Sequence, residues 1–392
     1  MATEEYNIKL QAVEELLKIN PAIKCKDAAE VLGISESSFR RCRNRLNKDK
    51  SGVLQTLQSN RYRKAIDDLK AHSRKLEKAL ESKETELQKY SELASMSKVV
   101  DIETTEAHNR EVVPVIVASD WHIEETVTAA ITNGLNEYNL KIAEDSIKQF
   151  FNKSCSRIMQ SKEHNTVNTV VLALLGDIIN GVLRNEDLES NQVTPVDALA
   201  LARALIYSGI KTLVENSGCN IRVICCVGNH GRLTEKIHFS NQVHNSLEYL
   251  LYKTLERDYR DNDKVTFVVS EAPYVIQPIF GVRVRFHHGH AIKFHGGIGG
   301  IAVPVLRKMA QMNTIEEADL DVIGHFHSSQ MFNNVIVNGS LVGSNGFSMS
   351  LGLPHDIPKQ TYFEIDSKYG RTTVFPICID RVVDKPVVTA IK

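Results

Sequence analysis

The stretch VNTVVLALLGDIIN, running from Val167 to Asn180, decides the fold. It reads as a short, β-rich buried strand that ends abruptly at Gly176-Asp177. The same texture recurs on either side: Val112–Ser119 before it, then Ile221–Val227, Val265–Val269, Val282–His287, Leu320–Ile323 and Val335–Val337 after it. Amphipathic stretches near Leu140–Met159 and Pro195–Glu215 lie between the first three runs and have helical spacing. Strand and helix signals in alternation predict an α/β domain over residues 112–392, with helices outside a sheet core. Roughly 280 residues are ample for one such domain.

Polar residues gather just beyond these strands, where open α/β sheets place their ligands. Ala118-Ser119-Asp120-Trp121-His122 follows the first. Leu175-Gly176-Asp177-Ile178-Ile179-Asn180 follows the second, and Val227-Gly228-Asn229-His230-Gly231 the third. Later come Phe286-His287-His288-Gly289-His290 and Gly324-His325-Phe326-His327. Any one of these is weak, since a Gly-Asp after a strand is often only a turn. Five in order are informative, because Asp and His rarely collect beyond buried strands unless they pair or bind metal. Imidazole, carboxylate and amide donors together suit zinc, manganese, iron or nickel rather than calcium.

In order and spacing these motifs (DxH, GD, GNH, a later His, GHxH) resemble the calcineurin-like metallophosphoesterase superfamily over roughly Glu111 to Lys392. The resemblance implies a four-layer α/β/β/α sandwich and two divalent metal ions, manganese first, with zinc, iron or nickel as alternatives. It implies that Asp120, His122 and His327 hold one metal, that Asp177 bridges, and that Asn229, His288 and His325 complete the second. His230 becomes the catalytic imidazole that stabilises or protonates the leaving oxygen. The family usually carries an acid after GNH; here Gly231 stands there, so another group must orient His230. His290 is expected to contact substrate or stand behind the ligands, and His287 to be a core strand residue. Arg184 and Arg232 are candidates for binding substrate phosphate, a task suited to the planar guanidinium.

The N-terminal third is different. Leu10, Val13, Leu16 and Leu17 recur at helical spacing as far as Asn20-Pro21. A short helix with Ala28, Ala29 and Leu32 follows, then a turn at Gly33 and a Ser-capped second helix, a helix-turn-helix pattern over 1–50. Ile34 and Phe39 are expected to pack the second helix on the first. Arg40, Arg41, Arg43 and Arg45 make that second helix basic, as a DNA-reading helix requires. Residues 51–98 form the next segment, free of proline. Tyr62, Ile66, Leu69, Ser73, Leu76, Leu80, Lys83, Leu87, Tyr90 and Ala94 follow one another at alternating steps of four and three, the seam of a coiled coil. Self-association through it is expected. Residues 99–111 read as a linker.

Bulk properties exclude several classes. A formal net charge of −1 leaves no global field for nucleic acid, so any such attraction is local. No apolar run spans a bilayer, and MATEEYNIKL is no secretory signal. Seven scattered cysteines without a CxxC pair exclude a zinc ribbon and fit a reducing cytoplasm, bacterial or phage-infected. The absence of GDxxDRG and GNHE sets the chain apart from protein phosphatases, and its layout resembles the SbcD-like DNA-repair nucleases and phage-encoded relatives. A nuclease or phosphodiesterase acting on DNA is therefore expected. A phosphodiesterase of cyclic or signalling nucleotides is the first alternative, and a DNA-binding adaptor with a degenerate site the second.

Overall fold

The computed structural model of the protein describes residues 2–96, 110–183, 185–294, 299–350 and 356–381. The chain divides into two compact units, Met1–Thr104 and Thr105–Lys392.

In the first unit, helix α1 (Ala2–Ile19) stops just short of Pro21, and helix α2 (Cys25–Val31) follows. Gly33 then turns the chain with a φ of 63°, a left-handed value that suits a residue without Cβ. The Ser35 hydroxyl accepts from the Ser38 amide at 3.3 Å and caps the start of helix α3 (Glu36–Met96). Val13, Ala28, Phe39 and Cys42 are buried together where the three helices meet, with Leu10, Leu32, Ile34 and Leu46 packed around them. Residues 50 and 51, where a boundary is expected, lie within a single helix, for α3 runs unbroken over 61 residues. Gly52 marks the spot, but a single helical glycine costs only about 1 kcal/mol, too little to break a helix continued on both sides. At about 1.5 Å per residue, α3 is roughly 90 Å long.

The second unit begins with strand β1 (Arg110–Ala118), two residues inside the expected linker, whose residues 99–109 lie outside the described residues. Then come α4 (Leu140–His164), β2 (Asn165–Thr166), β3 (Thr169–Leu174), α5 (Asn185–Ser190), α6 (Pro195–Ser217), β4 (Asn220–Cys225), α7 (Leu247–Asp258) and β5 (Val265–Val269). The remainder is β6 (Val275–Ile279), β7 (Val282–His287), α8 (Ala302–Asn313), β8 (Leu320–Ile323), β9 (Gln330–Phe332), β10 (Val335–Val337), α9 (Gly346–Ser350), β11 (Lys359–Asp366) and β12 (Gly370–Cys378). One sheet runs β12-β11-β1-β3-β4-β5, with β2 pairing β1; the other runs β6-β7-β8-β10-β9. The unit is mixed α/β. In the first sheet β1, β3, β4 and β5 are mutually parallel, while β11 and β12 are antiparallel additions.

Alternate residues along the strands build two interiors. Val115, Val117, Val171, Ala173 and Ile224 of the first sheet meet Val284, Phe286, Val322 and Ile336 of the second. The intervening residues Ile116, Leu172, Leu174 and Val223 face Ile147, Phe150, Phe151, Ile206, Ile210 and Leu255 of α4, α6 and α7. Beyond the second sheet, Ile323, Val335 and Val337 pack against Val305 and Met309 of α8. Local chemistry sets the helix ends: Thr194 caps α6 ahead of Pro195, and Gly218 ends it at a φ of 68°. Among the described residues, no helix is long and apolar enough to cross a membrane.

Candidate metal centre

Parallel strands β1, β3 and β4 end at the same edge, so the turns after them meet. Among the described residues eight non-glycine positions have left-handed φ, and Asp120, His122, Asp177, His325 and His327 are five of them. A residue with a Cβ adopts such φ values at a cost of order 1–3 kcal/mol, so the surroundings must impose them. Here they do so by backbone bonds between turns. The Asp120 amide donates to the Gly176 carbonyl at 3.0 Å, and the Trp121 and His122 amides to the Asp177 carbonyl at 2.8 and 3.1 Å. Gly176 permits this closeness, since a Cβ there would fall 2.1 Å from the Gly228 nitrogen.

The side chains converge. Asp120, His122 and His327 offer one ligand atom each within 4.8 Å of one another; so do Asp177, His288 and His325, and so do His122, Asp177 and His230. Shared members join the three groups into one site, with Asp177 and His122 central. Asn229 stands on the same turn as His230, and its Oδ1 is buried with no hydrogen-bond partner. His288 Nε2 lies 2.9 Å from Asp177 Oδ2 yet off the line of a hydrogen bond. His122 Nε2 and His327 Nε2 face each other at 3.1 Å. Two nitrogens pointed at one spot, an orphaned amide oxygen and buried carboxylates are what a pair of divalent cations would satisfy. The donor set therefore fits two borderline metals.

The buried groups also shift one another's charge states. Burial raises Asp120 to about 7, against the lowering effect of His288 and a hydrogen bond from Ser119 at 2.5 Å. Burial also works against Asp177, but the charges of His288 and His230 outweigh it and hold its carboxyl well below the usual range. Burial, with His230 and His327 nearby, holds His122 well below its ordinary value and so keeps it neutral, the form in which an imidazole can ligate metal.

Residues outside the motifs orient those within them. Asn180 Oδ1 lies 3.1 Å from His122 Nδ1, and the Asn180 carbonyl 2.8 Å from His230 Nδ1. Both oxygens can only accept, so each ring carries its proton on Nδ1 and turns Nε2 away from Asn180. His288 Nδ1 donates likewise to the Leu175 carbonyl at 2.7 Å. The partner that His230 needs in place of an acid at Gly231 is thus a backbone carbonyl. Gly231 itself is filled from elsewhere: a Cβ there would meet Glu248 Cγ at 2.7 Å. Glu248 is fully buried and accepts from the Ile178 and Gly228 amides at 2.6 and 2.7 Å, clamping the two turns that carry Asp177 and Asn229. Burial, and Asp177 close by, raise Glu248 to about 8. Glu124 does similar work, accepting from the Asn180 and Gly181 amides at 2.8 and 2.9 Å. The Asn338–Ser340 segment ties in Asp120: Ser340 Oγ donates to the Asp120 carbonyl at 2.8 Å, and Asn338 Nδ2 to Ser119 Oγ at 2.8 Å. Glu248 and Glu124 stand in no motif, and a lone glutamate gives sequence reading nothing to seize on.

Other expected residues fare differently. Arg184 lies outside the described residues. Arg232 donates to the carbonyls of Asn229, Thr234 and Glu235 and so organises its own loop. His290 stands behind His288 with ring centroids 5.5 Å apart, and its Nε2 meets the Gln242 amide group at 2.8 Å. His287 is buried in β7 as expected but is not satisfied there, for its Nε2 has no hydrogen-bond partner. Burial, helped by Arg285, lowers it to about 3 and keeps it neutral. Arg40, Arg41 and Arg45 are exposed on α3 in the other unit and Arg43 is half-buried.

No protein-family profile matches this chain, and no curated protein matches it. Solved structures that resemble it include a predicted phosphoesterase from Streptococcus pneumoniae TIGR4, at 14% identity over 69% of this chain and 95% of that one, with a TM-score of 0.27. Vps29 from Entamoeba histolytica, solved with zinc, is 11% identical over 67% of this chain and 99% of its own, with a TM-score of 0.27. A dimetal phosphatase from Danio rerio is 12% identical over 68% and 99%, with a TM-score of 0.28. Likenesses of this size leave the assignment to the residues themselves.

Proposed function

We propose that the chain is a two-metal phosphoesterase of the calcineurin-like type, an α/β/β/α sandwich that hydrolyses phosphodiester bonds in nucleic acid, DNA first. The observation that carries this reading is the convergence of Asp120, His122, Asp177, Asn229, His288, His325 and His327 with unmet buried donors among them. Asp120, His122 and His327 would hold one ion and Asn229, His288 and His325 the other, with Asp177 between; manganese is our first choice. When bound, such a pair neutralises the phosphate's charge and lowers the pKa of water towards neutrality.

The protein's own groups do the rest. Asp177 Oδ1 accepts from the His230 amide at 2.8 Å, which fixes the imidazole relative to the site's central carboxylate. The Asn180 carbonyl holds Nδ1–H, leaving Nε2–H of the protonated ring to give its proton to a departing alkoxide, which leaves the imidazole neutral. The ring lies edge-on to His122, centroids 4.6 Å apart, so it cannot swing inward without displacing a ligand. Glu248 and Glu124 keep the two turns in register without touching substrate.

Nucleic acid is favoured over a small nucleotide because the first unit packs as a helix-turn-helix would and presents Arg40, Arg41 and Arg45 on one exposed helix end. We read α3 beyond that end as a coiled coil joining copies, and place the chain beside SbcD-like nucleases and phage relatives working in a reducing cytoplasm. The test is cleavage of end-labelled single- and double-stranded DNA and of bis-p-nitrophenyl phosphate, with manganese and with chelator. Metal-dependent cutting of both, lost in His230→Ala, supports the reading. Cutting of the small diester alone moves the nucleotide phosphodiesterase to first place. Intact DNA binding with no cutting of either substrate supports the adaptor.

A further inference from the structure

Among the described residues, the apolar stripe on α3 is left exposed. Tyr62, Ile66, Leu69, Leu76, Leu80, Leu87 and Tyr90 are each between 49% and 68% exposed. A stripe this narrow, repeating every 3.5 residues, fits the matching stripe of another helix. Which helix, and in which direction, is written in the charges beside it.

In the heptad the inner positions are Ile66, Ser73, Leu80 and Leu87 on one row and Tyr62, Leu69, Leu76, Lys83 and Tyr90 on the other. Arg63, Lys70, Glu77 and Glu84 flank the second row, all exposed; Ala65, His72, Ala79 and Glu86 flank the first. A parallel pairing in register sets Lys83 against Lys83 inside the seam, like charges taken out of water at close range. It also sets Lys70 beside Ala65 and Glu84 beside Ala79, so these charges gain nothing.

Turning one helix around removes the conflict. With Ile66 level with the partner's Lys83, and Leu69 level with the partner's Leu80, the flanking row pairs with itself. Arg63 then meets the partner's Glu84, and Lys70 the partner's Glu77, each twice by symmetry. Sliding by one heptad in either direction places Lys70 against Lys70 or Glu77 against Glu77. One register matches all four charges of this row. Lys83 is also provided for: its ammonium is already held by Glu86 of its own helix at 2.6 Å, leaving its methylene stem to cover the partner's Ile66.

We propose that α3 joins two copies of this chain as an antiparallel two-stranded coiled coil, with Ile66 level with the partner's Lys83. This rests on the reading of α3 as a self-associating helix and adds direction and register to it.

The test uses full-length protein carrying Cys378→Ser, which removes the exposed thiol. Ile66→Cys and Lys83→Cys versions, differently tagged, are mixed and exposed to a disulfide oxidant, and molar mass is followed by light scattering. The expected result is a dimer, with the mixed disulfide dominant and almost none from Lys83→Cys alone, whose two thiols lie 17 residues apart, roughly 25 Å. Self-linking by Lys83→Cys overturns the antiparallel direction while leaving self-association intact. A monomer at all concentrations overturns self-association itself. Charge exchange gives a measure free of new cysteines. Glu77→Lys weakens the dimer roughly tenfold by placing two like pairs across it, and adding Lys70→Glu restores it. Failure of the double change to restore affinity contradicts the register.

Discussion

Asn180 holds His122 through its side chain and His230 through its carbonyl, so one position governs two imidazoles by different atoms. Asn180→Ala removes only the first hold. Groups that orient metal-binding histidines are typically worth about 10–100-fold in metal affinity. A metal titration of Asn180→Ala should show a loss of that order, and unchanged affinity would deny Asn180 this role. His230→Ala separates chemistry from binding: kcat should fall about 10²–10⁴-fold while metal content stays the same. Glu248 makes a prediction about pH. Its pKa is raised to about 8 in the fold, mainly by burial, against an ordinary 4.5. The folded state therefore keeps a proton that the unfolded chain has lost. That stabilisation is full below the unfolded value and is lost as pH rises through about 8. In chelator, the melting temperature should fall between pH 6 and 9, and more shallowly in Glu248→Gln. An equal slope in both proteins would contradict this account of Glu248.

At the scale of elements, the site is a property of strand ends. β1, β3 and β4 place three turns side by side, and backbone bonds between Asp120, Asp177 and Gly176 hold the left-handed geometry that aims the Asp and His side chains at one another. A methyl at Gly176 has no room beside Gly228, so Gly176→Ala should cost several kcal/mol, read as a lowered melting temperature with metal binding lost alongside. Motif residues were legible because each directly follows an apolar strand: Asp177 after Leu175, Asn229 after Val227. Most strand limits were legible for the same reason, β5, β7, β8 and β10 among them. β11 and β12 were not, because Tyr362, Glu364 and Arg371 interrupt their apolar pattern, and α8 was hidden behind Pro304. The helix runs on through residue 50 because the flanking turns of α3 outweigh the local penalty of Gly52. What stayed illegible is the support beneath the Asp and His cluster. Glu248 and Glu124 act through backbone amides far away in sequence, and only the folded chain brings them there.

Across the whole molecule, one unit carries the Asp and His cluster and the other the exposed arginines. If α3 brings DNA to the chain, Arg40→Ala, Arg41→Ala and Arg45→Ala together should weaken DNA binding and reduce its dependence on salt. Each phosphate contact contributes about 0.9 to the slope of log affinity against log salt, so roughly 2–3 should vanish from that slope. Hydrolysis of a small diester should not change; if it falls equally, the arginines act on folding rather than on DNA. The claim beneath all of this is that the cluster around Asp177 binds two divalent ions and needs both. The most direct measurement is hydrolysis of bis-p-nitrophenyl phosphate by chelator-stripped protein, titrated with manganese while bound metal is counted. The account predicts no turnover without metal, activity that saturates at two ions per chain, and loss of both in Asp177→Asn. Turnover in chelator, or saturation with fewer than two ions bound, would contradict it.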